Sequence, residues 1–171
     1  ELLMIRNHGM VNGYDTRVFG LNLRLPELCE AIGISQMRKL NQMLEIRRAN
    51  AELLSEGLKS FEQKDMLKLP KEPKNNKFNW YLFTVRFKEH SHRDLFKDNL
   101  LTTGIGDTVY YDPPVHKTPY YNAAAADKSG SAADLLPNTT WAWNHVLSLP
   151  VHPLMNKNDL NTIVKTFENT L

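Results

Sequence analysis

One cysteine, Cys29, is all the thiol chemistry the sequence offers. An internal disulfide is therefore excluded, and a reducing, cytoplasmic setting is expected. No apolar run is long enough to span a bilayer, and Glu1-Leu2-Leu3-Met4 lacks the pattern of a signal peptide. An excess of one charge is missing too. The 21 basic and 19 acidic residues leave a net +2, which argues against nucleic-acid and membrane-surface partners, since both call for a concentrated basic patch. The densest basic stretch, Lys68 to Lys77, is rich in proline and asparagine and reads as a solvated loop. The histidines are scattered without metal-ligand spacing, so no metal site is expected. The first residue is not methionine, and the chain is expected to be a piece of a longer protein. What is there, 42% hydrophobic and 23% charged over 171 residues, suits a globular chain with a sizeable core.

The organising stretch runs from Gly20 to Gln36. It begins as a polar-tipped turn (Gly20, Asn22, Arg24) and becomes helical at Pro26, whose fixed φ and missing N–H suit a first helical turn. Apolar residues then recur at helical spacing: Leu28, Ile32, Met37, Leu40, Leu44, Ala51, Leu54 and Leu58. The pattern predicts a helical spine over most of Pro26 to Ser60, roughly 50 Å long. Glu45–Arg48 and Arg48–Glu52 are spaced to pair on its exposed face, for ~0.2–0.5 kcal/mol each. Ahead of it lies a glycine-punctuated loop from Arg6 to Asp15.

Charge and proline clusters place a linker between Phe61 and Asn76. Phe78 to Phe87 reads as a strand covered on both sides. Ser91-His92-Arg93-Asp94 has the form of a helix cap, opening a helix that buries Leu95, Phe96 and Leu100 and ends at Gly104. Asp107 to Tyr111 is a short strand stopped by Pro113-Pro114. From Lys117 to Thr140, through Ala123 to Ala126 and Lys128 to Ser131, an irregular loop is expected. Val146 to Leu149 is an apolar segment, and Asn156 to Asp159 caps an amphipathic closing helix carrying Leu160, Ile163, Val164 and Phe167. From about Asn76 onward these segments describe a small α/β layer without an internal repeat.

Several pieces, taken in order, resemble the DegT/StrS-type family of aminotransferases that depend on pyridoxal 5'-phosphate (PLP). They are Arg6-Asn7-His8-Gly9, Gly20-Leu21-Asn22-Leu23-Arg24, Glu30-Ala31-Ile32-Gly33 with Gln36, and Gly104-Ile105-Gly106. Tyr110 to Tyr121 and Leu147 to Pro153 complete the set. The resemblance implies an α/β chain, the C-terminal segment of a fold-type I PLP-dependent transferase. Residues 1–60 would be the tail of the large cofactor-binding domain plus the long interdomain helix, and 61–171 a small C-terminal α/β domain. It further implies amination of keto-sugar nucleotides, with glutamate as amino donor, by a homodimer. In that family the asparagine of Gly-x-Asn-x-Arg reaches the cofactor phosphate of the other subunit, and Asn22 matches it. The Schiff-base lysine and the acid facing the pyridine nitrogen would lie upstream of the segment matching Glu1, so the segment alone is expected to be inactive. Two positions depart from the family: Thr16-Arg17 where a histidine is common, and Tyr81 where the strand often carries histidine.

The candidate cofactor-binding residues are Asn22 and Arg24. Asn22 either donates to a phosphate or caps the turn; Arg24 meets a phosphate or pairs with a carboxylate such as Glu27. The candidate substrate residues are His8, Tyr110, Tyr111 and His116. His8 is either a turn residue or at the active-site mouth. His116, stiffened by two prolines, faces a substrate or packs. Tyr110 and Tyr111 would face opposite sides of a strand, so at most one should meet a ligand. Trp80, Trp141 and Trp143 read as core or interface anchors, and His152 as structural. The rival reading is a non-catalytic interaction or ligand-binding module that kept this scaffold. As a segment, residues 1–60 should leave a large apolar surface uncovered, giving self-association or a rearranged N-terminal region.

Overall fold

The computed structural model describes residues 1–121 and 136–170, so Ala123 to Ala126 and Lys128 to Ser131 lie outside the described residues. The chain forms two compact units, Glu1–Gln42 and Met43–Leu171.

In the first unit a one-turn helix α1 (Leu2–Ile5) precedes two backbone segments joined at the isolated bridges Asn7–Asn22 and Met10–Thr16. Helix α2 (Glu27–Met37) follows, with Pro26 at its N-cap. It buries no side chain, and Leu28, Ile32, Ile34 and Met37 are all exposed. The apolar surface expected to be uncovered is present here: Phe19 is 85% exposed.

The expected single spine is divided. α2 ends at Met37, α3 runs over Leu40–Gly57, and α4 over Lys59–Gln63. Arg38 N–H makes the last i→i−4 bond, to Ile34 O at 3.2 Å, and Lys39 N–H takes the i→i−3 bond of a tightened end, donating to Gln36 O at 3.0 Å. A helix is held mainly by the face it buries, and α2 buries none that would carry it on past Met37. The burial expectation also fails beyond residue 42. Ala51, Leu54 and Leu58 are covered by the core of the second unit.

That core lies against a three-stranded antiparallel sheet, β1 (Leu67–Lys68), β2 (Phe83–Phe87) and β3 (Val146–Leu149), in the order β1-β2-β3. The predicted strand begins only at Phe83, because Trp80 turns into the left-handed region (φ 49°). Phe83, Val85 and Phe87 point into the core while Thr84 is half-buried and Arg86 exposed, so only one face of β2 is covered. β2 and β3 register Phe83 against Leu149 and Thr84 against Ser148, whose hydroxyls lie 2.9 Å apart. The expected strand Asp107 to Tyr111 reduces to one bridge, in which Thr108 and Ser148 exchange backbone hydrogen bonds.

Helix α5 (His90–Thr102) and the closing helix α7 (Lys157–Thr170) cover the core face, bringing Phe96 and Phe167 together. α5 starts one residue before the expected cap, from Glu89, which makes no side-chain cap bond. Asp94 instead pairs with Arg93 and His90. Its end is as expected, with Gly104 at φ 78° just past the last turn. The closing helix has the expected reciprocal cap. Asn156 Oδ1 accepts from the N–H groups of Asn158 and Asp159, and Asp159 Oδ2 accepts from Asn156 N–H. A helix α6 (Pro137–His145) leads into β3.

Arg48 does not pair within its helix. It grips Glu72 with two nitrogens, at 2.7 and 3.1 Å, and donates to Phe78 O. This contact and the Phe78 N–H hold the Glu72 carboxyl below its ordinary range. At the β1 turn, Lys88 and Lys68 approach Asp65 at 2.8 and 2.9 Å. They lower its carboxyl from 3.8 to about 2. A carboxyl depressed on folding stabilises above its unfolded value, and that contribution is lost as pH falls through the folded one. Urea titrations from pH ~4 down to ~2 should therefore show a flatter stability curve for Asp65→Asn than for the natural chain. The group is exposed, so added salt should shrink the difference.

Candidate functional site

Two places bring the candidate residues together, one in each unit. In the first unit, the segments 5–10 and 16–23 run backbone to backbone. His8 N–H donates to Leu21 O, Leu21 N–H to Ile5 O, and Leu23 N–H to Arg6 O. Side chains cannot fit between them. A Cβ on Gly20 would sit 2.1 Å from Gly9 N. The turn therefore presents Asn22 and Arg24 outward, both exposed.

Arg24 Nε donates to Asn22 Oδ1 at 2.9 Å, so its partner is not Glu27. This bond uses the amide's acceptor and leaves its NH2 as the outward-facing donor. An exposed guanidinium stands beside it. Two donors and no carboxylate on one turn fit a phosphate group, so Asn22 and Arg24 are the residues of this chain that could hold the PLP phosphate. His8 belongs to the same turn, in the left-handed region (φ 56°), with its side chain exposed. The backbone of His8 thus has a turn role, and its imidazole is exposed.

In the second unit a cavity of about 530 Å³ opens beside the segment 110–121, walled by Tyr110, Tyr111, Val115, His116, Tyr121 and Trp143. Both tyrosines reach it, against the expectation that at most one could. No strand continues past the Thr108 bridge to make them alternate, and their rings meet edge to face at 5.3 Å. His116 lies on a 3-10 turn (Val115–Lys117) behind the buried Pro114, and its Nε2 comes 3.5 Å from Thr140 Oγ1. Trp143 packs against the core, as an anchor should, and also walls the cavity. Its Nε1 donates to Asp112 Oδ1 at 3.1 Å, and Lys117 Nζ stands 4.5 Å from its ring centroid. The cavity offers flat apolar walls with a few hydroxyl and imidazole groups, the composition that suits a planar or ring-shaped ligand.

The residues the sequence reading gave no site role are Tyr121 and Arg47, and it gave Trp143 only an anchoring one. Tyr121 and Trp143 fall at either end of the long irregular stretch, where no periodicity marks a facing direction. Arg47 looks like one more surface charge on a helix, yet its Nη1 donates to Trp80 O and Tyr81 O, at 3.1 and 3.3 Å. Among the described residues no group of histidine, cysteine and acid could hold a metal, and no helix is long and apolar enough to cross a membrane.

Comparison with known proteins gives the two places a common context. A 3-amino-3,6-dideoxygalactose transaminase of dTDP-linked sugars from Aneurinibacillus thermoaerophilus is 27% identical over 165 residues, covering 96% of this chain and 42% of that protein. The dTDP-3-amino-3,4,6-trideoxy-alpha-D-glucose transaminase of Streptomyces venezuelae is 31% identical over 157 residues, covering 92% and 38%. Among solved structures, DesV of S. venezuelae superposes with a TM-score of 0.82 at 27% identity, over 98% of this chain and 42% of that one. An aminotransferase from Brucella abortus gives 0.79, also at 27% identity and the same coverage. The chain thus spans about two fifths of the length of these relatives. The α/β architecture of the chain is that of part of the PLP-dependent aminotransferase fold. The pattern of the DegT/DnrJ/EryC1/StrS aminotransferase family extends over residues 1–168, and the chain belongs to that family.

Proposed function

We propose that the protein carrying this chain is a PLP-dependent aminotransferase, a cytoplasmic homodimer that moves an amino group from glutamate to a keto-sugar nucleotide. The observation that carries the reading is the Arg24–Asn22 hydrogen bond, which turns the amide of an exposed turn into a one-way donor. Residues 1–60 then serve as the tail of the cofactor-binding domain and the link to the small domain 61–171. The exposed apolar side chains of residues 1–42 supply the surface through which two copies associate.

PLP, when bound, supplies the electron sink that lets an amino group change carriers. This chain's residues bind and orient around it. Asn22 Nδ2 would hold the cofactor phosphate of the other subunit, with Arg24 fixing the amide and adding a positive charge. Tyr110, Tyr111 and His116 line the entrance for the sugar nucleotide, where their rings exclude water and offer face and edge contacts. His8, on the Asn22 turn, stands at the mouth of the active site that this turn serves. The segment alone, without the lysine that the family's members carry upstream, is inactive.

The test is spectroscopic. The full-length gene product with PLP should show a visible cofactor band that is lost on adding glutamate and restored by a keto-sugar nucleotide. A product that acquires no band refutes the enzyme reading and leaves the binding-module alternative.

A further inference from the structure

Helix α3 contributes Arg47 to a smaller pocket, of about 210 Å³, that shares Tyr110 with the aromatic cavity. Its polar side chains are Arg47, Tyr81, Thr108, Tyr110, Ser148 and His152; each can donate a hydrogen bond, and no carboxylate lines the pocket. Arg47 is half-buried, and among the described residues no carboxylate lies within ion-pair distance of it. Both hydrogens of its Nη1 go to the carbonyls of Trp80 and Tyr81. Its Nε and Nη2 make no hydrogen bond among the described residues. That edge is the side-on fork with which a guanidinium grips two oxygens of one anion. The exposed Tyr81 ring lies 5.8 Å from the guanidinium carbon, within cation–π range.

The surrounding structure holds these groups in place at a cost. Trp80 adopts φ 49° while buried, a conformation a bulky residue keeps only where its surroundings over-determine it. The two Arg47 bonds are part of that constraint. One turn along α3, buried Asn50 donates to His152 O at 3.1 Å. It fixes the backbone between Pro150 and Pro153 that carries the imidazole. A half-buried cation without a counter-charge is expensive unless an anion arrives to pair with it.

We infer that the pocket bounded by Arg47, Tyr81, Tyr110 and His152 is an oxyanion site. In the reaction proposed above, on which this source assignment rests, the oxyanion belongs either to the diphosphate of the sugar nucleotide or to a carboxylate of the amino donor.

Calorimetry on the full-length PLP-loaded protein separates these with three probes. Inorganic pyrophosphate stands for the diphosphate, glutarate for the donor, and thymidine for an uncharged occupant of the aromatic cavity. Arg47→Gln should weaken one of the two anions by about tenfold or more, and His152→Gln by several-fold. Thymidine should bind both variants as it binds the natural protein. Loss of pyrophosphate assigns the site to the nucleotide, and loss of glutarate to the donor. If Arg47→Gln fails to fold because its carbonyl bonds are gone, Arg47→Lys and His152→Gln decide. The lysine variant keeps the charge but loses the fork. The site is refuted if His152→Gln and the folded Arg47 variant bind both anions as the natural protein does, or if that protein binds neither. Failure of the sugar-nucleotide reading looks different: thymidine does not bind, or binds Tyr111→Ala undiminished, whatever the anions do.

Discussion

Gly9→Ala should dismantle the turn that presents Asn22 and lower the affinity of the full-length protein for PLP by about 10–100-fold, the worth of one hydrogen bond to a charged group. The new methyl would sit 1.6 Å from Val18 O and 2.7 Å from its carbonyl carbon. Both are backbone atoms, which cannot swing aside as a side-chain end would. The residue also adopts φ 73°, a region that costs a non-glycine roughly 1–2 kcal/mol before any contact is counted. Relief is blocked from the other side, where Gly20 already approaches the Gly9 nitrogen too closely for a Cβ. The segments must part, taking with them the bonds that fix Asn22. Gly13→Ala is the control. It sits at φ 54° with nothing within 4 Å of the added carbon, and so has the strain without the collision. Fluorescence titration with PLP should separate the two. Unchanged affinity in Gly9→Ala would remove this turn from the cofactor site.

That turn was legible as a place but not as a geometry. Asn-x-Arg in a glycine-bounded loop marks a polar tip, and the family resemblance points it at a phosphate. Which way the amide faces depends on Arg24, two residues on, and no pattern in the chain distinguishes that bond from a pairing with Glu27. The closing helix was legible in full, because Asn156 and Asp159 cap it through neighbours close in sequence and its apolar stripe has one period. Where partners are distant the reading failed. Arg48 has acidic neighbours at the correct helical spacing, yet it pairs with Glu72, whose loop also needs its Phe78 N–H satisfied. Arg47 differs from Arg48 only in facing Trp80 and Tyr81, and a sequence carries no mark of that direction. The break at Arg38 was hidden for another reason. Periodicity reports that a face is apolar, not whether anything covers it, and α2 is apolar and uncovered.

Phe167→Ala should be the most damaging change in the second unit, lowering its stability by about 3–5 kcal/mol. The ring is fully buried and stacks on Phe96 at 4.2 Å between centroids, with Phe61 and Phe87 at 5.9 and 6.1 Å. Four aromatic side chains from α4, β2, α5 and α7 thus meet at one point, and none can follow a lost neighbour without leaving its own element. The cavity should stay open. Part of the loss is the aromatic geometry itself, worth ~0.5–1.5 kcal/mol per pair beyond burial. Phe167→Leu should therefore cost well under half as much, since it restores most of the volume but not the stacking. Domains of this size commonly hold only ~5–15 kcal/mol in total, so the alanine variant stands near the edge of folding. The consequence reaches the site through β2 and β3. Ser148 on β3 holds Thr108 by a pair of backbone bonds, and Thr108 leads into Tyr110 and Tyr111. Chemical denaturation followed by tryptophan fluorescence measures the stability. Hydrogen exchange at the Thr108 and Ser148 amides should rise with it, because opening the core releases the bridge. An alanine variant that loses less than the leucine one would show that the core does not pack around this ring.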